Sequence, residues 1–211
     1  MTLIWLNGPF GGGKTQTAYE LSRRLPGSVV CDPEHPGFGL RRMLPPSLRG
    51  DFQDLSAWRA GVVEVLDLTL RAGVGPVIAP MTVIEPKYFE ETVGRLRNLG
   101  HEVHHFSPLA RRETVLKRLR ERAFGRALQF VAGKNTKRGG DTWAESKVDV
   151  CLERLRDNQF ATHVWTDTLS IPEVANQVAT KSGLTLQPNN DPHLIALARR
   201  SWTSLKHIRF D

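Results

Sequence analysis

The stretch Gly8-Pro9-Phe10-Gly11-Gly12-Gly13-Lys14-Thr15 decides the fold. It matches in full the G-x-x-x-x-G-K-[ST] pattern of a phosphate-binding loop. Its surroundings match too. The apolar run Leu3-Ile4-Trp5-Leu6 leads into it, and Thr17, Ala18, Leu21 and Leu25 follow at helical spacing. Strand, glycine loop, helix is the setting this pattern needs. The glycines let the backbone turn its N–H groups inward around phosphate oxygens, and the opening helix adds its positive end. Lys14 is expected on the β- and γ-phosphates, and the Thr15 hydroxyl on Mg²⁺. With Gln16 at the start of the helix, residues 8–16 are the expected site for ATP. The loop alone does not say what the phosphoryl group is used for.

Outward from the loop, β and α patterns alternate. Strands are expected at residues 2–7, 28–31, 76–81, 102–107 and 162–166. Helices are expected at 13–25, 51–72, 86–99, 111–122, 142–158 and 171–182. Apolar runs such as Val77-Ile78-Ala79 suit strands buried on both faces. The expected class is α/β: a P-loop NTPase or kinase fold, with a five-stranded parallel sheet in the order 2-3-1-4-5 and helices on both faces. Residues 1–183 read as the kinase-like domain, with a basic lid at about 111–141. Residues 184–211 read as a linker and an amphipathic last helix.

With 211 residues and 40% hydrophobic content, the chain can bury one real core. No run of 18 apolar residues marks a membrane span. The apolar start feeds straight into the loop and carries no positive flank, so no signal peptide is expected. Cys31 and Cys151 are the only cysteines, too few for a disulfide framework. A cytoplasmic setting is expected. The net charge of +7 is concentrated. From Arg111 to Arg138 ten basic residues meet only Glu113 and Glu121, which leaves the rest of the chain near neutrality. Such confinement argues against a nucleic-acid partner and for one element built around a compact anion such as a triphosphate.

Beyond the second strand lies Cys31-Asp32-Pro33-Glu34, followed by Arg41-Arg42. Ligands of open α/β sheets sit beyond the carboxyl ends of the strands. Asp32 is therefore a candidate base for an acceptor hydroxyl or a holder of the metal, and Glu34 a second candidate. The alternative is that Asp32 only starts a turn before Pro33. Arg41 is a candidate contact to the acceptor, with Arg42 either beside it or on a solvated helix face. Phe52, Trp58 and Arg59 on the next helix line an acceptor pocket or pack in the core. The third strand ends in Pro80-Met81-Thr82, with no acid, which disfavours a GTPase or motor ATPase and favours a small kinase.

Arg118 and Arg122 lie one turn apart on the lid helix and are the candidates to close on the transferred phosphoryl group. Arg111, Arg112 and Arg120 read as a solvated face. Residues 123–141 read as a mobile loop between two helices. Asp167 and Thr168, after the last strand, are expected beside the nucleotide. Ser170 with Glu173 reads equally as a capping box. His101, His104 and His105 lack acid or Cys partners at ligand spacing and read as structural. The last helix places Leu194, Leu197, Ala198, Trp202 and Leu205 near one face. It is suited to pack on the domain or to make peripheral contact with an acidic membrane.

The segments IWLNGPFGGGKTQTAYEL, VVCDPEHPGFGLRRML, PVIAPMTV, IEPKYFEETVGRLR, VHHF, ETVLKRLRER and LKHIR together closely resemble the tunicamycin resistance proteins. More distantly, loop, aspartate and arginine lid are similar to shikimate kinase and chloramphenicol phosphotransferase. The resemblance implies an ATP-dependent role against tunicamycin, a nucleoside antibiotic with sugars and a fatty acyl chain. It implies that Asp32 is the base or metal-holding carboxylate and that Arg118 and Arg122 are the lid arginines. The insertion between Ala123 and Gly140 is longer than the family pattern. Transfer of phosphate to the drug and simple sequestration of it both stand at this point.

Overall fold

The computed structural model describes residues 1–130 and 139–190; the side chains of residues 122–130 and 139–146 lie outside that description, as does the expected last helix with Leu194 and Trp202. Its centre is β1 (Thr2–Leu6), where Leu3, Ile4, Trp5 and Leu6 are all fully buried. A strand buried on both faces has no polar side to spare, so it reads as an unbroken apolar run. Side-chain parity then sorts the core. Leu3 and Trp5 enter one cluster, Ile4 and Leu6 the other.

The chain continues through α1 (Lys14–Arg24), β2 (Val29–Val30), α2 (Glu34–Met43), α3 (Ser56–Ala72) and β3 (Val77–Pro80). It proceeds through α4 (Pro86–Phe89), a π-turn (Glu90–Gly94), α5 (Arg95–Asn98) and β4 (Glu102–Leu109). It ends with α6 (Arg112–Phe130), α7 (Gly139–Arg154), β5 (His163–Trp165) and α8 (Ile171–Lys181). The five strands are parallel in the order β2-β3-β1-β4-β5, the expected order. Leu3 pairs with Val77 on one side and Val103 on the other. α1 and α8 cover the face holding Ile4, Leu6 and Ile78. α3 and α4–α7 cover the face holding Leu3, Trp5 and Val77.

Three expectations about helices need correction. A whole helix, α2, follows the second strand and was not expected. Pro36, Gly37 and Gly39 hid it, yet Pro36 lies in the first turn, where backbone N–H groups have no helical partner to lose. The helix expected over 51–72 is two pieces: a 3-10 turn at Phe52–Asp54, then α3. Asp51 accepts from Gln53 N at 3.0 Å and closes that turn before α3 can start. Finally, residues 123–130 and 139–141 are helical and not loop, extending α6 and opening α7. The Gly, Lys and Asn content that suggested a loop is concentrated in residues 131–140 and masked the helix formers of 123–129.

Residues 184–189 were expected to begin a linker. They lie against α1: Leu184 and Leu186 pack on the core, Gln187 N donates to Arg24 O at 2.9 Å, and Arg24 Nε donates back to Gln187 O at 2.7 Å. Among the described residues no helix is long and apolar enough to cross a membrane.

Candidate functional site

The loop joins β1 to α1 with glycines where other residues would be strained. Gly11 and Gly13 take φ of 75° and 85°, in the left-handed region, and Gly13 is the N-cap of α1. Gly12 N donates to Pro9 O at 2.9 Å and Thr17 N to Gly13 O at 2.9 Å, which closes the turn onto the helix. Lys14 is 6% exposed, its Nζ 3.2 Å from Pro9 O and 5.6 Å above the Phe10 ring. Thr15 and Gln16 are half-buried on the first turn of α1.

The loop's near end is tied to the exit of β3. Asn7 is fully buried; its Nδ2 donates to Val83 O and its Oδ1 accepts from Val83 N, each at 2.8 Å. Thr82 Oγ1 donates to Gly8 O at 2.7 Å. Where the third strand lacks an acid, it supplies a bracket for the loop instead. Neither Asn7 nor Thr82 was expected in the site. Their signal was the buried polar residue next to each strand's apolar run.

The loop's far side lies under α6. A Cβ on Gly11 would stand 3.0 Å from Leu119 Cγ and 3.1 Å from Val115 O. A Cβ on Gly13 would stand 3.3 Å from Ile171 Cδ1, so the segment between β5 and α8 borders the loop as well. Both Asp167 and Thr168 lie in that segment, Thr168 exposed. The Asp167 carboxylate accepts from Thr114 Oγ1 at 2.6 Å and from Arg111 N at 3.1 Å, so it fastens the start of α6 to the end of β5. Burial alone would raise its pKa; the bonds from Thr114 and Arg111 outweigh that and hold it below the usual carboxylate value.

Arg118 reaches the same place from α6. Its Nη1 donates to Thr166 Oγ1 at 3.0 Å and its Nη2 to Thr166 O at 2.6 Å. Burial opposes its charge, which the Asp167 and Glu121 carboxylates support, and its pKa is lowered overall. Arg122 lies one turn on, with helical backbone; its side chain is outside the described residues.

Asp32 sits just past β2. Its Oδ1 accepts from Glu34 N at 2.9 Å, which orients the carboxylate and starts α2. Asp32 also faces Tyr19 of α1, whose hydroxyl pKa is raised by burial and then by that charge. Glu34 and Arg41 are half-buried on the first and last turns of α2. Trp58 is 1% exposed and donates from Nε1 to Pro33 O at 2.8 Å, bracing the turn that carries Asp32. Arg59 is engaged with the Glu91 carboxylate and Gln53 O, and its guanidinium lies 4.4 Å over the Tyr88 ring. Phe52 packs edge-on to Phe38 and against Trp58. Trp58 and Arg59, both expected at an acceptor pocket, are thus engaged with Pro33 O and with Glu91, Gln53 O and the Tyr88 ring.

A hollow of about 120 Å³ opens beside them, lined by Arg41, Leu44, Leu48, Asp51, Phe52 and Asp54 among others. Burial raises the Asp51 pKa, against the Gln53 N–H bond; Asp54 adds to the rise, while Lys147 and Arg41 oppose it. Asp51 and Lys147 were not anticipated, because residues from opposite ends of the chain meet only in the fold. Cys151 of α7 is buried, its thiol pushed up to about 11 despite the nearby Lys14 and Lys147 charges. Among the described residues no three His, Cys, Asp or Glu side chains form a metal cluster.

Residues 3–138 match the AAA domain family. The tunicamycin resistance protein of Deinococcus radiodurans is 34% identical, with a TM-score of 0.70; the match covers 90% of this chain and 100% of that one. Shikimate kinase from Bacteroides thetaiotaomicron shares the fold at 17% identity and a TM-score of 0.54, over 87% of this chain and 99% of that one. No curated protein matches the chain.

Proposed function

This chain belongs to the AAA domain family and, within it, to the tunicamycin resistance proteins, and from that premise we propose that it transfers a phosphoryl group from Mg-ATP to a hydroxyl of a nucleoside- or sugar-type small molecule such as tunicamycin. The observation that supports this reading is the set of three elements: a bracketed loop with a buried lysine, an oriented carboxylate beyond β2 at the same edge of the sheet, and an arginine-bearing helix seated on the loop.

In this reading residues 8–15 cradle the triphosphate and Lys14 holds its β- and γ-phosphates. Gln16, Asp167 and Thr168 border the nucleotide. The oxygen donors Thr15 and Asp32 fit Mg²⁺, which keeps waters and phosphate oxygens as its other ligands and needs no all-protein cage. When bound, the ion offsets charge on the phosphates. The Asp32 carboxylate takes the proton of the acceptor hydroxyl. That oxygen bonds to the γ-phosphorus while the bond to the β-phosphate oxygen breaks, and ADP leaves. Arg118, released from Thr166, and Arg122 stabilise the charge on the group in flight. Glu34 and Arg41 orient the acceptor, with Trp58 and Arg59 holding the wall behind it.

Incubation with γ-labelled ATP and tunicamycin is expected to give labelled drug. Asp32→Asn should slow transfer about 10²- to 10⁴-fold, the range for loss of a general base. Label that stays on ATP at high enzyme concentration would end this reading. One observation favours a second: the Asp32–Glu34 bond is also what a purely structural turn residue makes. The protein would then sequester the drug, and Asp32→Asn would leave protection intact while Lys14→Ala removes it.

A further inference from the structure

Between Glu34 and Asp51 the chain carries no acidic residue, but it carries Arg41, Arg42 and Arg49. Among them stand Met43, 81% exposed, and Leu48, 65% exposed, the two most exposed large apolar side chains of the described residues. Pro45, Pro46 and Ser47, which separate them, are exposed as well. Nothing in the core accounts for either side chain: α2 buries only Gly37 fully, and the 3-10 turn Pro46–Leu48 buries nothing.

This tip has a fixed shape. Leu44 N donates to Arg41 O at 3.2 Å and Leu48 N to Pro45 O at 2.9 Å. Arg49 lies back across the turn, with Nε donating to Leu44 O at 2.9 Å and Nη2 to Arg42 O at 3.4 Å. Two prolines fix φ at its apex. A preformed tip gives up little conformational freedom when it docks.

We propose that residues 41–49 are a membrane-docking tip, which inserts Met43 and Leu48 at the headgroup boundary of an anionic bilayer while Arg42 and Arg49 meet the lipid phosphates. The reasons are shape and charge. The apolar side chains stand on an exposed turn and do not line a groove, and basic residues with no acid among them complement an anionic surface. Two apolar side chains bind a bilayer weakly on their own, so the arginines supply the second signal that makes the contact selective. The hollow holding Asp51 and Asp54 shares Leu44 and Leu48 with the tip, so its mouth would open at the lipid surface.

The test uses the full chain without nucleotide or acceptor, so its outcome is separate from that of phosphoryl transfer. Cosedimentation is measured with vesicles of phosphatidylcholine alone and with about 30% phosphatidylglycerol, a composition that supplies the negative surface potential. Two arginines at the surface, Arg42 and Arg49, predict a preference for the anionic vesicles of about 30-fold, falling steeply at high salt. Met43→Ser with Leu48→Ser should weaken partitioning about 10-fold or more, the effect expected for lost apolar insertion. Val65→Ser with Leu68→Ser, on the exposed face of α3, should leave it unchanged. No vesicle binding, no dependence on anionic lipid, or equal binding by the tip variant would overturn the proposal, the last of these pointing to a protein partner for the tip or to another docking element.

Discussion

His105 shows how one residue shapes the behaviour of the chain. Its ring is 4% exposed, edge-on to Phe89, with Nδ1 2.9 Å from Ala161 O. The carbonyl fixes Nδ1 as the donor, so Nε2, which has no hydrogen-bond partner, is the unprotonated nitrogen. Burial pushes its pKa down to about 4; the Ala161 carbonyl opposes this, and Arg97 and His163 reinforce it. The unfolded chain therefore takes up this proton first. Stability is full above about pH 6.5 and falls as pH drops toward 4, by about 3 kcal/mol from this group alone. Urea unfolding at pH 7, 5.5 and 4.5 should show that slope, and His105→Gln should flatten it. That this histidine lies on a strand was legible from the sequence. Its burial was not, because the walls come from Phe89 and Phe160, distant in the chain.

At the scale of elements, α2 and the 3-10 turn before α3 interlock. A Cβ on Gly37 would lie 2.6 Å from Phe52 Cε2, so Phe52 rests on bare helix backbone. Gly37→Ala should destabilise the fold by about 1–3 kcal/mol, the cost of overpacking. Adding Phe52→Ala should recover part of that loss, a coupling that thermal unfolding of the single and double variants would reveal. The strands and most helices were legible because each has one clear period. The capping box is an example: the Glu173 carboxylate accepts from Ser170 N at 2.7 Å, as Ser-x-x-Glu spacing suggested. The segment after β2 was read least well. α2 carries glycines and a proline for packing and capping reasons, and those residues resemble a loop when contacts are unseen. Likewise Arg59, expected to line an acceptor pocket or to pack in the core, spends its charge on Glu91 and Tyr88.

Across the whole molecule the nucleotide site and the fold are one structure. α1 starts at Lys14 and is strapped at its other end by Gln187, so binding at the loop should stiffen far more than the loop. Mg-ATP at about 100 times its Kd should add about 2.7 kcal/mol of stability. For a domain of this size that is about 5–10 °C in Tm, and Lys14→Ala should remove it. The tie from Thr82 to Gly8 has a different consequence, which concerns what this chain can become. An acid at residue 82 would be a metal ligand in other loop proteins. Here an ionised carboxylate cannot donate to the Gly8 carbonyl, so the swap would unfasten the loop before it could serve the metal. A step toward a motor-type site by a single change at that position therefore costs the loop this bond. The paired Asn7–Val83 bonds would then hold the loop's near end without it, so the hydroxyl at residue 82 and a carboxylate there are alternative uses of one position.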